Sequence, residues 1–304
     1  MENENQHIYP FLKWVGGKRQ LIKKFRDFYP PELFSGKVKG YCEPFLGGGA
    51  VFFDMINHYT FNHITICDIN ADLINVYNQV KTNVAELIEE LSKIEISYLG
   101  KDEANRQAYY YKIRKRFNSN SSKNLLNHAA DFIFLNRTCY NGLYRLNSKG
   151  EFNVPAGRYK NPKILDNDNL LKVSGVLQQV DIQTGSFDKL LKLESNEKMF
   201  LYFDPPYRPI SKTANFTSYS KDVFTDNEQI KLFEVFKKLD KQGHFVMLSN
   251  SDPKNSNPND NFFDDLYSDF VINRVPARRM VNSDPKKRGA INEIIVTNYP
   301  VKNE

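Results

Sequence analysis

Asp204-Pro205-Pro206-Tyr207 sets a carboxylate, a carbonyl on a rigid turn and an aromatic ring side by side. An aromatic amine is a poor nucleophile because its lone pair is delocalised into the ring. Acceptors that take both amine hydrogens can hold the group so that this lone pair faces an electrophile. The Asp204 carboxylate and the free carbonyl of Pro205 suit that task, the prolines stiffen the turn, and Tyr207 offers a face on which a planar base can stack. The carboxylate also stabilises positive charge that develops as the nitrogen is alkylated. Standing alone, the quartet would read more plainly as a proline-stopped strand whose Asp faces solvent.

A second cluster lies far upstream. Gly47, Gly48 and Gly49 resemble a dinucleotide fingerprint but depart from it twice. Counted from Gly47, the last glycine position of G-x-G-x-x-G is Phe52, and Glu43 stands just before the loop. A carboxylate there would repel a pyrophosphate. It would instead offset a sulfonium or ammonium, while the glycines allow close backbone approach. S-adenosylmethionine carries both cations. Asp68, 20 residues after Gly48, is placed to accept hydrogen bonds from ribose hydroxyls. A glycine turn is often only a tight connection and a strand-end Asp only a cap. Two such motifs at predicted strand ends favour a site.

The elements that must position these groups follow from periodicity. Tyr41 to Phe45 reads as a strand into the glycine turn, Ala50 to Ile56 starts a helix, and His63 to Cys67 alternates as a second strand ending at Asp68. Asn70 caps a helix over Ala71 to Lys81. From Val84 to Arg137 the apolar spacing is helical, with Asn118 to Ser122 as a polar break between two helices, and Thr138 to Lys163 reads as a structured loop or hairpin region. Met199 to Phe203 is a buried strand stopped by the two prolines. Thr225 and Glu228 form a capping box for a helix to Leu239, Phe245 to Leu248 and Ile291 to Tyr299 are strands, and Ser251 to Asn261 reads as a flexible loop. The economical architecture is an α/β sheet, shared by strands on both sides of a basic, mainly helical insertion. The catalytic domain then comprises residues 1–70 and 166–304, and the insertion 71–165.

The net charge is only +6, but Lys101 to Lys163 holds 13 Lys and Arg against 4 Asp and Glu, a local +9 that leaves the rest of the chain at −3. A second cluster, Arg274, Arg278, Arg279, Lys286, Lys287 and Arg288, has only Asp284 in opposition along the sequence. Segregated cations suit a polyanion such as nucleic acid, and they equally suit a solvated face. Cys42, Cys67 and Cys139 are widely spaced, and the histidines show no ligand spacing, so small buried thiols and no metal are expected. No apolar run approaches membrane-spanning length and Met1 to His7 lacks the features of a secretory signal, so a cytoplasmic protein is expected.

Taken in order, the motifs resemble those of the Dam-type (D12 class, alpha group) adenine-specific DNA methyltransferases. Phe11 to Lys18 is similar to the family's N-terminal motif, Glu43 to Gly49 to its cofactor loop, and Asp204 to Tyr207 to its catalytic tetrad. Asn141 to Arg145, Gly150 to Pro155 and Gly157-Arg158-Tyr159 match its target-recognition segment. The resemblance runs from residue 8 nearly to the end and implies a Rossmann-like, S-adenosylmethionine-dependent methyltransferase sheet with an inserted, mainly helical target-recognition domain acting on double-stranded DNA. It implies that Trp14, Lys18, Glu43, Phe45, Gly47, Gly49, Asp68 and Asp204 serve the cofactor, and that Asp204, Pro205 and Tyr207 hold an adenine flipped from the duplex. Lys13, Leu143 and Arg145 match base-reading positions, Tyr140 an aromatic that inserts at the site, and Arg158 a phosphate contact, with Asn141 and Tyr159 in the same segments. GATC is the target those roles imply. Met280 to Lys287 diverges from the family's pattern.

Three rivals stay open at this point. Methylation of the 4-amino group of cytosine needs the same acceptors and aromatic, although such enzymes more often carry Ser before Pro-Pro; a glutamine-modifying enzyme typically carries Asn there. A non-catalytic DNA-binding protein could keep the fold and use only the insertion. A cognate restriction endonuclease acting on the same site is compatible with either methyltransferase, and no stable protein partner is expected.

Overall fold

Alternate residues of each central strand face opposite layers, which is why the strands read as continuous apolar runs. The computed structural model describes residues 7–14, 16–119, 124–192, 196–208, 224–278 and 290–301. Two single turns of helix, α1 (Ile22–Phe25) and α2 (Pro31–Phe34), precede β1 (Gly40–Glu43), α3 (Ala50–His58), β2 (His63–Asp68) and α4 (Ala71–Thr82). Then follow α5 (Val84–Leu99), α6 (Glu103–Ser119), α7 (Leu125–Thr138), α8 (Asn167–Leu177), β3 (Val180–Thr184) and β4 (Met199–Phe203). The chain continues through α9 (Asp226–Lys241), β5 (Phe245–Ser251), α10 (Phe262–Leu266), β6 (Val271–Arg278) and β7 (Ala290–Thr297).

The strands form one seven-stranded sheet in the order β3-β2-β1-β4-β5-β7-β6. From β3 to β5 the pairing is parallel; β7 runs antiparallel to both β5 and β6. Gly40 of β1 is in register with His63 of β2 on one side and with Met199 of β4 on the other. The strand order therefore reverses between β1 and β4. In doubly wound sheets a ligand crevice opens outside the carboxyl ends of the strands at such a reversal, here just beyond Glu43 and Phe203.

One face of the sheet, with Tyr41, Phe200, Tyr202, Met247 and Ile295, packs into a core shared with α3, α4, α5, α7 and α8. The other, with Cys42, Leu201, Phe203, Val246, Leu248, Ile294 and Val296, packs on α9 and α10. The expected caps form: Asn70 accepts from the Leu73 amide and Thr225 from the Glu228 amide. All three cysteines are free and buried.

Three features differ from the periodicity reading. The helical stretch after Val84 is three helices, because Asp102 accepts from the Asn105 amide and starts α6 afresh. The polar break falls where expected, between the end of α6 at Ser119 and the start of α7 at Leu125, and Asn118 in the last turn of α6 both donates to the Phe152 carbonyl and accepts from the Phe152 amide, 3.1 and 2.9 Å, clamping the hairpin to the helix. Ser251 to Asn261 is fixed rather than loose: β5 runs through Ser251, Asp252 accepts from the Lys254 amide, and Asn255 exchanges hydrogen bonds with the Asn292 backbone. Strands β3 and β6 complete the sheet edges. Helix α4, at the start of the expected insertion, packs against β2 and β3 as well as against α7.

Candidate active site and hairpin

The first wall of the crevice is the turn after β1. Gly47 and Gly49 hold φ of 50° and 68°, a region that disfavours side chains, and Gly49 caps α3. A Cβ on Gly47 would lie 2.8 Å from the Trp14 indole, so the turn and Trp14 fit only because no side chain intervenes. Trp14 is itself presented by a tight turn in which the Gly17 amide bonds the Trp14 carbonyl and Gly16 takes φ of 80°. Asp68, at the tip of β2, accepts from the Gly47 amide through Oδ2 and from the Asn70 amide through Oδ1, both at 2.9 Å. Burial nevertheless holds its carboxyl above the usual range. Beside it Ile69 is 64% exposed, an apolar surface at the mouth of the crevice that periodicity did not single out.

Glu43 is buried rather than lining the loop openly. Its Oε2 accepts from the Tyr41 hydroxyl at 2.6 Å, and the carboxylate also takes the Phe52 amide in the first turn of α3. Burial outweighs both bonds and pushes its carboxyl well above the ordinary range. Capping by Glu43 makes the start of α3 unwelcoming to an anion. Phe45 turns toward the other face and packs with Phe187, Phe203 and Phe224.

The second wall is the end of β4. Asp204 Oδ1 lies 3.0 Å from Lys18 Nζ and accepts at 3.0 Å from the Ser249 hydroxyl, which also meets the Tyr202 hydroxyl at 2.8 Å. Burial raises the Asp204 carboxyl, and the Lys18 ammonium opposes that shift. Lys18 also donates to the Tyr207 hydroxyl, and its Nζ sits 4.2 Å from the centre of the Tyr207 ring. Tyr207 in turn donates to Glu293 Oε2 at 2.7 Å, and that carboxylate lies 3.4 Å from Lys18 Nζ. Behind the turn, Arg208 bridges Asp226 and Asp260, and Gln229 donates to the Pro206 carbonyl. Ser249 and Glu293 were not expected from sequence. Their signals are a polar end to an apolar strand and a lone carboxylate in Ile291 to Val296.

The segment from Tyr140 to Tyr159 contains a short hairpin bridged at Leu146 and Phe152. Lys13 is held by reciprocal bonds between its backbone and Asn136 (2.8 and 2.7 Å), and its ammonium lies 4.3 Å from the Tyr159 ring centre. Burial, then the Arg137 guanidinium, lowers the Lys13 pKa. Tyr140 is 54% exposed, and Asn141 takes a left-handed φ of 55°. Leu143 is half-buried, Arg145 is exposed with its Nε on Asn153 Oδ1 at 2.7 Å, and Arg158 is exposed. The structure thus joins Lys13 with Tyr159, Trp14 with the glycine turn, and Lys18 with Asp204 and Tyr207, while Arg145 pairs with Asn153. Tyr144, between the two expected readers, stacks on Trp14 at 5.8 Å and donates to Asp72 at 2.8 Å.

Part of the basic charge is architectural. Arg106 and Arg114 donate to main-chain carbonyls at Lys160 and Val154, Arg116 pairs with buried Asp131, and Arg137 donates to the Phe11 carbonyl. Arg274, expected in a free basic cluster, is neutralised by Asp252 and Asp264, which are distant in sequence and adjacent in space. The Arg278 side chain and residues 279–289, with the rest of that cluster and the divergent stretch, lie outside the described residues. Among the described residues no helix is long and apolar enough to cross a membrane, and no group of three acidic, His or Cys side chains could hold a metal ion.

A doubly wound sheet with a reversed terminal hairpin, and with a glycine turn and an acceptor-bearing turn facing each other at its switch point, defines a Rossmann-like methyltransferase. The model of the D12 class N6 adenine-specific DNA methyltransferases matches residues 14–281. The chain belongs to that family and is an adenine-specific DNA methyltransferase. It is 48% identical over 294 residues to the type II methyltransferase M.MjaIII of Methanocaldococcus jannaschii, covering 96% of this chain and 99% of that one. It is 40% identical to the type II methyltransferase M1.LlaDCHI of Lactococcus lactis subsp. cremoris over 98% of both chains. A DNA adenine methylase of Escherichia coli K12 shares 33% identity over 95% of each.

Proposed function

We propose that this enzyme transfers a methyl group from S-adenosylmethionine to the 6-amino group of an adenine flipped out of duplex DNA, within GATC. The observation that carries the reading is Asp204, held by Ser249 and Lys18 at the carboxyl end of β4, across the strand-order reversal from the glycine turn. The donor set fits the cofactor. Asp68 keeps acceptor capacity on both oxygens, and the buried Tyr77 hydroxyl beside Gly49 has no hydrogen-bond partner. Trp14, Lys18, Glu43, Phe45, Gly47, Gly49 and Asp68 would hold it, and it supplies an electrophilic methyl group when bound.

The chain's residues then do the rest. Asp204 and the Pro205 carbonyl accept the two amine hydrogens and turn the nitrogen lone pair out of conjugation. Tyr207 stacks on the extruded ring, and Asp204 stabilises the cationic nitrogen until it sheds a proton. Extrusion is required because the amine is inaccessible within the base stack. Residues 71–165 act as the recognition insertion, with Tyr140 and Asn141 at the vacated position, Lys13, Leu143 and Arg145 on base edges, and Arg158 on phosphate. The protein works in the cytoplasm, with or without a restriction endonuclease of the same specificity.

Long-read sequencing of DNA from a methylation-free host expressing the chain tests this directly. Methyladenine confined to GATC is expected; methyladenine in another motif would overturn the roles of Lys13, Leu143 and Arg145 while leaving the chemistry. Arg145→Ala is expected to lose about 1 to 3 kcal/mol of discrimination at one base pair. Unchanged preference among single-base variants of the site would remove Arg145 from the reading set.

A further inference from the structure

Lys18 is the least expected occupant of the base site. It is only 3% exposed, and its ammonium meets three oxygens: Asp204 Oδ1 at 3.0 Å, Glu293 Oε2 at 3.4 Å and the Tyr207 hydroxyl. Two of these features are the ones the target amine needs. Asp204 Oδ1 is an acceptor for an amine hydrogen, and the Tyr207 ring, whose centre lies 4.2 Å from Nζ, is the stacking face. A nitrogen donor already fills the first position and borders the second.

We propose that Lys18 stands in for the target amine while no base is in the site, and that Glu293 is a positioning residue that takes over its ammonium when the base enters. The inference rests on the base-extrusion reading above. Adenine arrives neutral, so it cannot replace the charge of Lys18. If the ammonium left altogether, half-buried Asp204 and buried Glu293 would face each other as two carboxylates without a counterion, which is unfavourable. Lys18 must therefore move while staying paired. Glu293 is the carboxylate within reach that is not needed for the amine, and its bond from the Tyr207 hydroxyl holds it in place. The topology explains how it gets there: β7 runs antiparallel, so its first residues lie at the carboxyl ends of the parallel strands, with Glu293 opposite Ser251.

The exchange makes Lys18 a competitor of the base, with Glu293 setting how easily it yields. A duplex carrying 2-aminopurine at the target adenine reports unstacking as fluorescence, and it is titrated with wild type, Glu293→Gln, Lys18→Met and the double variant, all with saturating S-adenosylhomocysteine. Glu293→Gln leaves Asp204 as the sole charged partner of Lys18 and is expected to weaken base docking about tenfold, a coupling typical of groups in direct contact. In the Lys18→Met background the same change is expected to alter docking less than twofold. Equal losses in both backgrounds, or no loss in either, would overturn the exchange while leaving extrusion intact. No fluorescence rise with any protein, wild type included, would overturn extrusion itself. If Lys18→Met does not melt cooperatively, Lys18→Gln, which keeps a neutral donor, takes its place in the cycle.

Discussion

Asp204→Ala is expected to lower the single-turnover rate of methyl transfer by about 10³- to 10⁴-fold while changing specific DNA binding by less than about threefold. Removing one preorganised group that stabilises developing charge typically lowers turnover by about 10²- to 10³-fold. Loss of alignment of a poorly nucleophilic amine adds to that, since misplacement by about 1 Å alone can lower the rate by about 10²-fold. Binding is spared because Asp204 sits at the end of β4, whereas Lys13, Arg145 and Arg158 belong to the N-terminal segment and the hairpin. Asp204→Asn separates the two contributions: its carbonyl still accepts an amine hydrogen, so geometry survives while charge stabilisation and the Lys18 pair are lost. It should fall between wild type and Ala. Rapid-quench kinetics with excess enzyme and a filter-binding titration measure the two quantities. Turnover by Asp204→Ala near the wild-type rate would remove Asp204 from the chemistry altogether.

That Asp204, Gly47 and Asp68 stand at or just beyond strand ends was legible in sequence for a local reason. Each stands where an apolar run meets glycine or proline, and such punctuation marks strand ends without knowledge of the partners. The sheet edges lack it. In β3, Val180 is buried but Gln183 and Thr184 are exposed, so too few apolar residues recur to mark a period. In β6, Pro276 and the arginines read as a basic loop; the strand tolerates Pro276 because it lies at the edge of the sheet, and Arg274 is neutralised only through the fold. Partnerships across the crevice were hidden for the same reason. Lys18 and Glu293 are joined by a parallel sheet and a reversed strand, and no window of neighbouring residues contains both. The three helices α5 to α7 were blurred because Asp102 and Asn118 look alike in composition, yet one caps a helix and the other clamps a hairpin from within one.

The glycine turn and the hairpin are tied together through Lys13 and Trp14. Trp14 rests on the glycine turn on one side and on Tyr144 on the other. Tyr144 is anchored to Asp72, which also holds buried His128 at 2.9 Å and begins the helix that follows Asp68. Lys13, one residue before Trp14, is fixed to α7 through Asn136. One short stretch of chain therefore braces the glycine turn, the end of β4 and the hairpin together.

Glu43→Gln is expected to raise the thermal stability of the cofactor-free enzyme at pH 8 and to weaken S-adenosylmethionine binding by at least tenfold. Burial raises the Glu43 carboxyl well above its ordinary value of 4.5, so over the interval between those two pKa values the folded protein keeps a proton that the unfolded chain has released. With more protons bound in the folded state, stability falls as pH rises through that interval. The glutamine variant does not titrate there. Its advantage should thus be small near pH 4 and grow with pH, while the Tyr41 hydroxyl keeps an acceptor in the amide oxygen. The cofactor reverses the preference, because its cationic groups favour the ionised carboxylate; one such interaction at a buried site, with an effective dielectric of about 20, is worth on the order of 2 kcal/mol. Wild-type affinity should accordingly strengthen as pH rises and that of Glu43→Gln should respond less. The chain's single tryptophan, Trp14, lies on the loop and gives a fluorescence signal for binding, alongside thermal melts at several pH values. A variant less stable than wild type at pH 8, with affinity unchanged, would mean that capping of α3 is the whole role of Glu43.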